Sequence, residues 1–323
     1  MKAITYTQYG TPDVLKLVET DKPIPKDGEV LVKIHAASVN ALDWHLLTAD
    51  IFLVRFGEGL FKPKRSRLGA DMAGVVEAVG SGITQFKPGD AVYGDIEPYG
   101  SGAFAEYAAV PAKGLAPMPA GASFEEAAAL PVAALTALQG LRDVGKIAAG
   151  KRVLVNGASG GVGTYAVQIA KAFGAEVTAV CSTRNVEQAW ALGADHVIDY
   201  TKENFTQSGQ QYDLILAANG YHSLGDYKRA LAPGGIYVMA GGKTRQIFDV
   251  ILLGWWYSRG GDKKLANVMA HSSVPDLLVI NELVESGKVK PAIDRTYPLE
   301  QTADALRYLG EGHARGKIVI KVV

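Results

Sequence analysis

With one cysteine in 323 residues, Cys181, the chain has no internal disulfide framework and no zinc site built on several cysteines. That usage suits a reducing compartment, and we expect the protein in the cytoplasm. Neither sign of charge is in excess: 33 Lys+Arg stand against 33 Asp+Glu, so nothing in the balance draws nucleic acid or an anionic membrane. The six histidines are scattered, and no pair has metal-ligand spacing. The longest apolar run, 247–257, is broken by Asp249 and is too short for a membrane span of about 20 residues. The first residues pass straight into a strand pattern, with no secretory apolar segment. Internal repeats and low-complexity tracts are missing as well.

Glycine, in contrast, is plentiful, and three glycines decide the reading. An apolar strand over 153–156 runs into Gly157, Gly160 and Gly163, and a helical pattern over 165–173 follows at once. Glycine turns the chain sharply and lets the backbone approach a pyrophosphate. The N-terminus of the next helix then offers free N–H groups and a positive dipole end. The spacing G-x-x-G-x-x-G is less specific than G-x-G-x-x-G, but the strand–turn–helix context marks a dinucleotide site.

The second strand of such a unit usually ends in an acid that binds a ribose 2′-hydroxyl. Here the strand over 176–180 ends in Cys181, Ser182, Thr183 and Arg184. Two hydroxyls and a guanidinium suit a 2′-phosphate, so NADPH is expected. The plainer alternative makes Ser182 and Thr183 caps of the next helix and Arg184 a solvated charge.

The first part of the chain is β-rich, with strand patterns over 2–6, 29–37, 73–79 and 91–93. A loop-rich stretch over 51–68 carries Lys62, Lys64, Arg65 and Arg67, which read as a solvated face. At Ser123 the texture changes: Ser123 and Glu126 form a capping box ahead of one long helical run over 127–141. Strands at 153–156, 176–180, 196–199, 214–218 and 236–239 then alternate with helices, which implies a parallel sheet covered on both faces. A sixth strand at 264–269 and a helix at 274–285 close the unit. β texture returns at 292–297 and 317–322, around a helix at 299–309. The expected fold is therefore α/β, a doubly wound Rossmann sheet over 123–288, inserted into a β-rich domain made of 1–122 and 289–323.

The segments Ala36 to Asp43, Gly69 to Val76, Lys87-Pro88-Gly89-Asp90, Gly102 to Tyr107, the glycine turn and Gly312 to Val319 together carry a resemblance over nearly the full length. The chain resembles the zinc-free quinone oxidoreductase branch of the medium-chain dehydrogenase/reductase superfamily, in which the β-rich domain is GroES-like. Its zinc-using members carry Cys where this chain has Asn40 and His where it has Ala70, so the resemblance implies no metal here. It implies hydride transfer from NADPH to a quinone or an α,β-unsaturated carbonyl, a small-molecule substrate, and a homodimer paired through the strand at 264–269. An enoyl-thioester reductase, a zinc-free alcohol dehydrogenase and a non-catalytic NADPH-binding or sensing protein are the alternatives.

The same resemblance puts Asn40, Asp43 and His45 at the nicotinamide pocket. Asn40 fits equally as a turn residue, Asp43 as a helix N-terminal charge and His45 as a packing histidine. Thr136 is implied at the nicotinamide ribose. Ser159, Gly160, Gly161 and Val162 line the pyrophosphate, and Tyr200 lies at the adenosine end. Ala218 and Asn219 follow the fourth strand as cofactor-binding residues, Gly241 and Gly242 sit beside the nicotinamide, and the segment of His313, Arg315 and Gly316 closes over the cofactor. Trp255, Trp256 and Tyr257 read as a pocket cap, an interface or core.

Overall fold

The computed structural model describes residues 1–242, 246, 249–250, 254, 257, 259 and 261–323. Its contacts divide the chain into two compact units, one of Met1–Val132, Ser272–Glu285 and Pro291–Val323, the other of Ala133–His271 and Ser286–Lys290. The division differs from the expected one over 123–132, 272–285 and 289–290. Helix Phe124–Ala128 belongs to the first unit, where Phe124 stacks on His35 with ring centroids 4.2 Å apart. Helix Val274–Glu285 belongs there too: Asn281 accepts the Tyr93 hydroxyl at 2.6 Å and donates to Pro117 O at 2.9 Å.

The first unit is built on a seven-stranded sheet. Its order is Ile293–Pro298, Lys317–Lys321, Glu29–Val39, Asp71–Val79, Ala91–Asp95 and Ala116–Pro117, and Tyr107–Pro111 also pairs with Glu29–Val39. The long strand Glu29–Val39 has register shifts near Leu31 and Ile34. Such irregularities bend a strand and let it serve two neighbours along its length. Alternate residues Val30, Val32 and Ile34 enter a core shared with Leu47, Met72, Phe104, Leu306, Ile318 and Ile320.

The second unit holds six strands, all paired in parallel, in the order His196–Asp199, Glu176–Cys181, Arg152–Asn156, Tyr212–Ala217, Leu231–Met239, Lys264–Asn267. In chain order this is 3-2-1-4-5-6, the doubly wound arrangement. Its central strands read as unbroken apolar runs because helices cover both faces. Strand Lys264–Asn267 ends two residues short of the expected bound and lies at the sheet's edge among the described residues.

The helical run expected over 127–141 is three pieces. Pro131 cannot donate the N–H that would continue Phe124–Ala128, and a second helix, Pro131–Gln139, starts there. The chain then widens into a turn in which Gly145 N–H bonds Gly140 O, five residues back, at 2.9 Å. Gly140 is required: a Cβ would sit 2.9 Å from Leu216 Cδ1 on the sheet.

Candidate active site

In the second unit the strand Arg152–Asn156 stops at Gly157, whose φ of +82° is left-handed. A Cβ there would lie 2.7 Å from Asn219 N. Gly163 packs the next helix, Gly161–Ala172, onto the turn: its Cβ would meet Gly157 O at 2.0 Å. Gly160 stands at the N-cap with no side chain capping the helix, and open space surrounds its Cβ position, the nearest atom being Gly157 O at 3.8 Å. Two glycines thus close the turn and the third leaves it uncovered. Ser159, Gly160, Gly161 and Val162 present a helix N-terminus whose donors fit a pyrophosphate.

At the neighbouring strand end the structure refines the expected 2′-phosphate site. Thr183 Oγ1 donates to Asp199 Oδ2 at 2.6 Å, so its proton is already used. Ser182 Oγ instead accepts, from Asn185 Nδ2 at 3.2 Å, and keeps its proton. A carboxylate does stand beside the tip, since Asp199 pairs in register with Cys181. Its oxygens are taken by Thr183, by the Thr201 N–H and hydroxyl, and by Lys202. Those bonds, Thr183's first, hold it well below the usual carboxylate range. Arg184 is exposed, and Tyr200, also exposed, is fixed by its N–H on Cys181 O at 3.0 Å. The Cys181 thiol is buried, and burial, with Asp199 adding to it, pushes it up to about 11. It is no thiolate at neutral pH.

Elsewhere in this unit, Thr136 is buried on Pro131–Gln139. Ala218 and Asn219 both donate their N–H groups to Asn156 O, at 2.9 and 3.2 Å. Gly241 lies against Ala218, where a Cβ would be 2.7 Å from Ala218 O, and Gly242 has φ +129°. The structure therefore brings Ala218, Asn219 and Gly241 to the carboxyl end of the sheet, next to Gly157. Trp255 and Trp256 lie outside the described residues. Tyr257 is half-buried and its carbonyl accepts Lys228 Nζ at 2.6 Å.

In the first unit, three strand ends meet in a buried polar network. Register pairs Ser38 with Asp71 and Asp71 with Asp95. Asp71 Oδ2 accepts Ser38 Oγ at 2.8 Å, Asn40 Nδ2 at 2.9 Å and Lys317 Nζ at 3.2 Å, and Oδ1 accepts Val132 N at 2.9 Å. Lys317 also donates to Asn40 Oδ1. Both oxygens of Asp43 accept backbone N–H groups, Asn40 at 2.8 Å and Gly69 at 3.0 Å. Burial first, and the nearby charge of Asp71, push Asp43 and Asp95 up to about 7. Asn40 and Asp43 are thus committed to neighbours, Asp43 as the acid that ties back the start of helix Ala41–Thr48. Ser38, Asp71 and Lys317 complete this network. Sequence reasoning left them unassigned, and nothing in the sequence shows that Lys317 is only 2% exposed, an unusual burial for a lysine.

His45, on the same helix, bonds Asp50 Oδ1 through Nδ1 at 2.7 Å and is partly exposed. Burial works against the Asp50 carboxylate, but the His45 bond outweighs it and holds the group below its ordinary range. A carboxylate there makes Nδ1 the donor and leaves the lone pair on Nε2. Trp44 pins the helix against Gly310, where a Cβ would lie 2.4 Å from the indole. His313 and Arg315 are exposed on a turn, and Arg315 N–H bonds Asp294 Oδ2 at 2.9 Å. Gly316, with φ +136° and no room for a Cβ against Ala292 O, aims Lys317 inward.

Two family models match, the alcohol dehydrogenase GroES-like domain over 26–120 and the zinc-binding dehydrogenase over 192–320. The chain is 40% identical over 340 residues to a 2-methylene-furan-3-one reductase of Solanum lycopersicum, covering 99% of this chain and 79% of that one. It is 36% identical over 337 residues to an NADPH-dependent alkenal/one oxidoreductase, chloroplastic, of Arabidopsis thaliana, with the same coverage. The chain belongs to the quinone oxidoreductase branch of the medium-chain dehydrogenase/reductase superfamily. Among solved structures, the quinone oxidoreductase from Coxiella burnetii matches with TM-score 0.87 and 30% identity, over 100% of this chain and 99% of that one.

The zinc in one family model's description does not fit this member of the superfamily. Asn40 spends its amide on Lys317 and Asp71, so an ammonium occupies its acceptor. Ala70 offers no donor atom. Among the described residues no three His, Cys, Asp or Glu are grouped to hold a metal.

Proposed function

We infer that the protein is an NADPH-dependent, zinc-independent reductase of quinones and α,β-unsaturated carbonyls. The observation that carries this is the glycine turn beside a strand end offering Ser182 and Arg184, in a chain related to proteins named as reductases of such substrates. When bound, NADPH supplies the hydride. The chain's own residues bind and orient. The open N-terminus at Gly160 takes the pyrophosphate, Ser182 and Arg184 the 2′-phosphate, and Tyr200 the adenosine end. Thr136, Ala218, Asn219, Gly241 and Gly242 are our assignments for the nicotinamide side, and His313, Arg315 and Gly316 for a closing segment. Asn40 and Asp43 act as positioning residues that set the helix carrying His45. His45, oriented by Asp50, holds or delivers a proton at Nε2.

The experiment is reduction of a conjugated enone with NADPH deuterated at the transferring C4 position, on chelator-washed protein. Deuterium is expected on the β-carbon, with the washed and unwashed protein equally fast on the same cofactor and with slower turnover with NADH. Proton relay is typically worth about 10²–10⁴-fold, so His45→Ala should lower kcat within that range and alter its pH profile. Dependence of turnover on one equivalent of zinc refutes the metal reading, and an unchanged kcat for His45→Ala makes solvent the proton donor. Crotonyl thioesters in the same substrate panel separate the enoyl-thioester alternative.

We further propose a homodimer paired through strand Lys264–Asn267. Among the described residues this strand is the last in its sheet, where a second copy could add a strand, and the nearby Met269 side chain is 81% exposed. Light scattering at micromolar concentration should give the dimer mass; a monomer mass defeats this. The cytoplasm is our assignment of compartment, on cysteine usage alone. No helix among the described residues is long and apolar enough to cross a membrane.

A further inference from the structure

We propose that Asn185 is a positioning residue for the cofactor, a buried amide that orients two hydroxyl donors: Ser159 at the glycine turn and Ser182 at the adenosine end. This rests on the reading of those serines as NADPH contacts. Asn185 is 3% exposed and occupies the N-cap of helix Val186–Ala191. An asparagine in that place ordinarily accepts an N–H of the first turn. Here the side chain makes no capping bond. Its Nδ2 donates to Ser159 Oγ at 3.0 Å and to Ser182 Oγ at 3.2 Å, and its Oδ1 has no partner among the described residues. Forgoing a cap and leaving a buried acceptor unsatisfied both cost stability, so the arrangement points beyond folding.

Donor counting supplies the chemistry. A serine hydroxyl has one proton and two lone pairs. Once an amide N–H fills a lone pair on each serine, each hydroxyl proton is directed away from Asn185, toward an acceptor. Anionic oxygens are the strongest acceptors for such a proton. Ser159 lies in the turn leading to Gly160, and Ser182 follows strand Glu176–Cys181. Thr183 cannot replace Ser182, because its proton goes to Asp199. One amide therefore sets the donors for both anionic parts of NADPH and couples them.

The test is the Kd of NADPH and of NADH, by fluorescence titration without substrate, for Asn185→Ala and Asn185→Asp. Aspartate is nearly the same size but accepts both hydroxyl protons and turns them inward. Losing an oriented hydroxyl donor is worth about tenfold, so in Asn185→Ala NADH Kd should rise by up to about tenfold through Ser159, NADPH Kd by about a further tenfold through Ser182, and NADPH Kd more still in Asn185→Asp. Adding Ser182→Ala to Asn185→Ala should weaken NADPH binding little more, because the two act as one unit. Equal losses for both cofactors, or full additivity, overturn the proposal and make Asn185 a packing residue. In the wild type, the Asn185 side-chain amide resonances should shift on saturation with 2′-AMP and not with 5′-AMP. Unchanged resonances overturn the proposal without any variant. A wild type that binds NADPH and NADH equally overturns instead the reading of Ser182 on which the inference rests.

Discussion

Lys317→Met is expected to cost about 3–5 kcal/mol of unfolding free energy, the cost of leaving one partner of a buried ion pair uncompensated. Methionine replaces the apolar stem of the lysine, so packing is largely kept and the lost term is the charge. Asp71, with no exposed surface, would retain Ser38, Asn40 and Val132 as donors but no cation. Asp43 and Asp95, both pushed up by burial and by Asp71, add to the excess of acid in this region. Thermal unfolding should show Tm lower by roughly 10 °C. Asp71→Asn in the same chain should recover most of the loss, since the uncompensated charge is then gone. A single variant within about 1 kcal/mol of the wild type would mean the network is not held by this pair.

Gly163→Ala should damage folding and cofactor binding together. Its Cβ would lie 2.0 Å from Gly157 O and 2.8 Å from Ala158 Cα, and backbone on both sides cannot yield as a flexible side chain does. Overpacking of this kind costs about 1–3 kcal/mol. The opened turn also moves the N–H groups that meet the pyrophosphate, each charge-assisted bond being worth about 1.5–3 kcal/mol, so NADPH Kd should rise at least tenfold. Gly160→Ala is the control. Its φ of −83° suits any residue and its Cβ position is open, so Tm without cofactor should stay unchanged while NADPH Kd rises. Calorimetry and fluorescence titration on the two variants separate the roles. A Gly160→Ala protein that binds NADPH like the wild type would remove the pyrophosphate from that face.

The glycine turn and the parallel strands were legible in the sequence because their signals are local. A strand, a left-handed glycine and a helix lie within about twenty residues, and helix Val274–Glu285 and strand His196–Asp199 fall within the expected bounds. The short strands Lys16–Glu19, Tyr107–Pro111 and Ala116–Pro117 were not anticipated. They are set by pairing with other strands, Lys2–Thr5, Glu29–Val39 and Ala91–Asp95, more than by their own pattern. The polar network was illegible for the same reason. Lys317 is 246 residues from Asp71 and 277 from Asn40, and no periodicity carries that distance. Asn40 and Asp43 could be read as pocket residues or as local caps, and only the register of three strands shows how their hydrogen bonds are spent. Thr183 and Ser182 look alike in sequence, but Asp199, brought alongside by the neighbouring strand, gives their protons different destinations.

Strand Lys317–Lys321 lies inside its sheet, between Ile293–Pro298 and Glu29–Val39. During translation this has a consequence for the order of events on the ribosome. The dinucleotide-binding unit has all its residues once synthesis has passed 290. The N-terminal unit, although its first 132 residues are made earliest, waits for a strand and a counter-ion that are specified beyond residue 316. Until then Asp71, Asp43 and Asp95 remain in a nascent chain without their cation, and the hydrophobic side of Glu29–Val39 lacks its neighbour. The part of the protein that is synthesised first is thus completed last, and it is the part on which nascent-chain chaperones have longest to act.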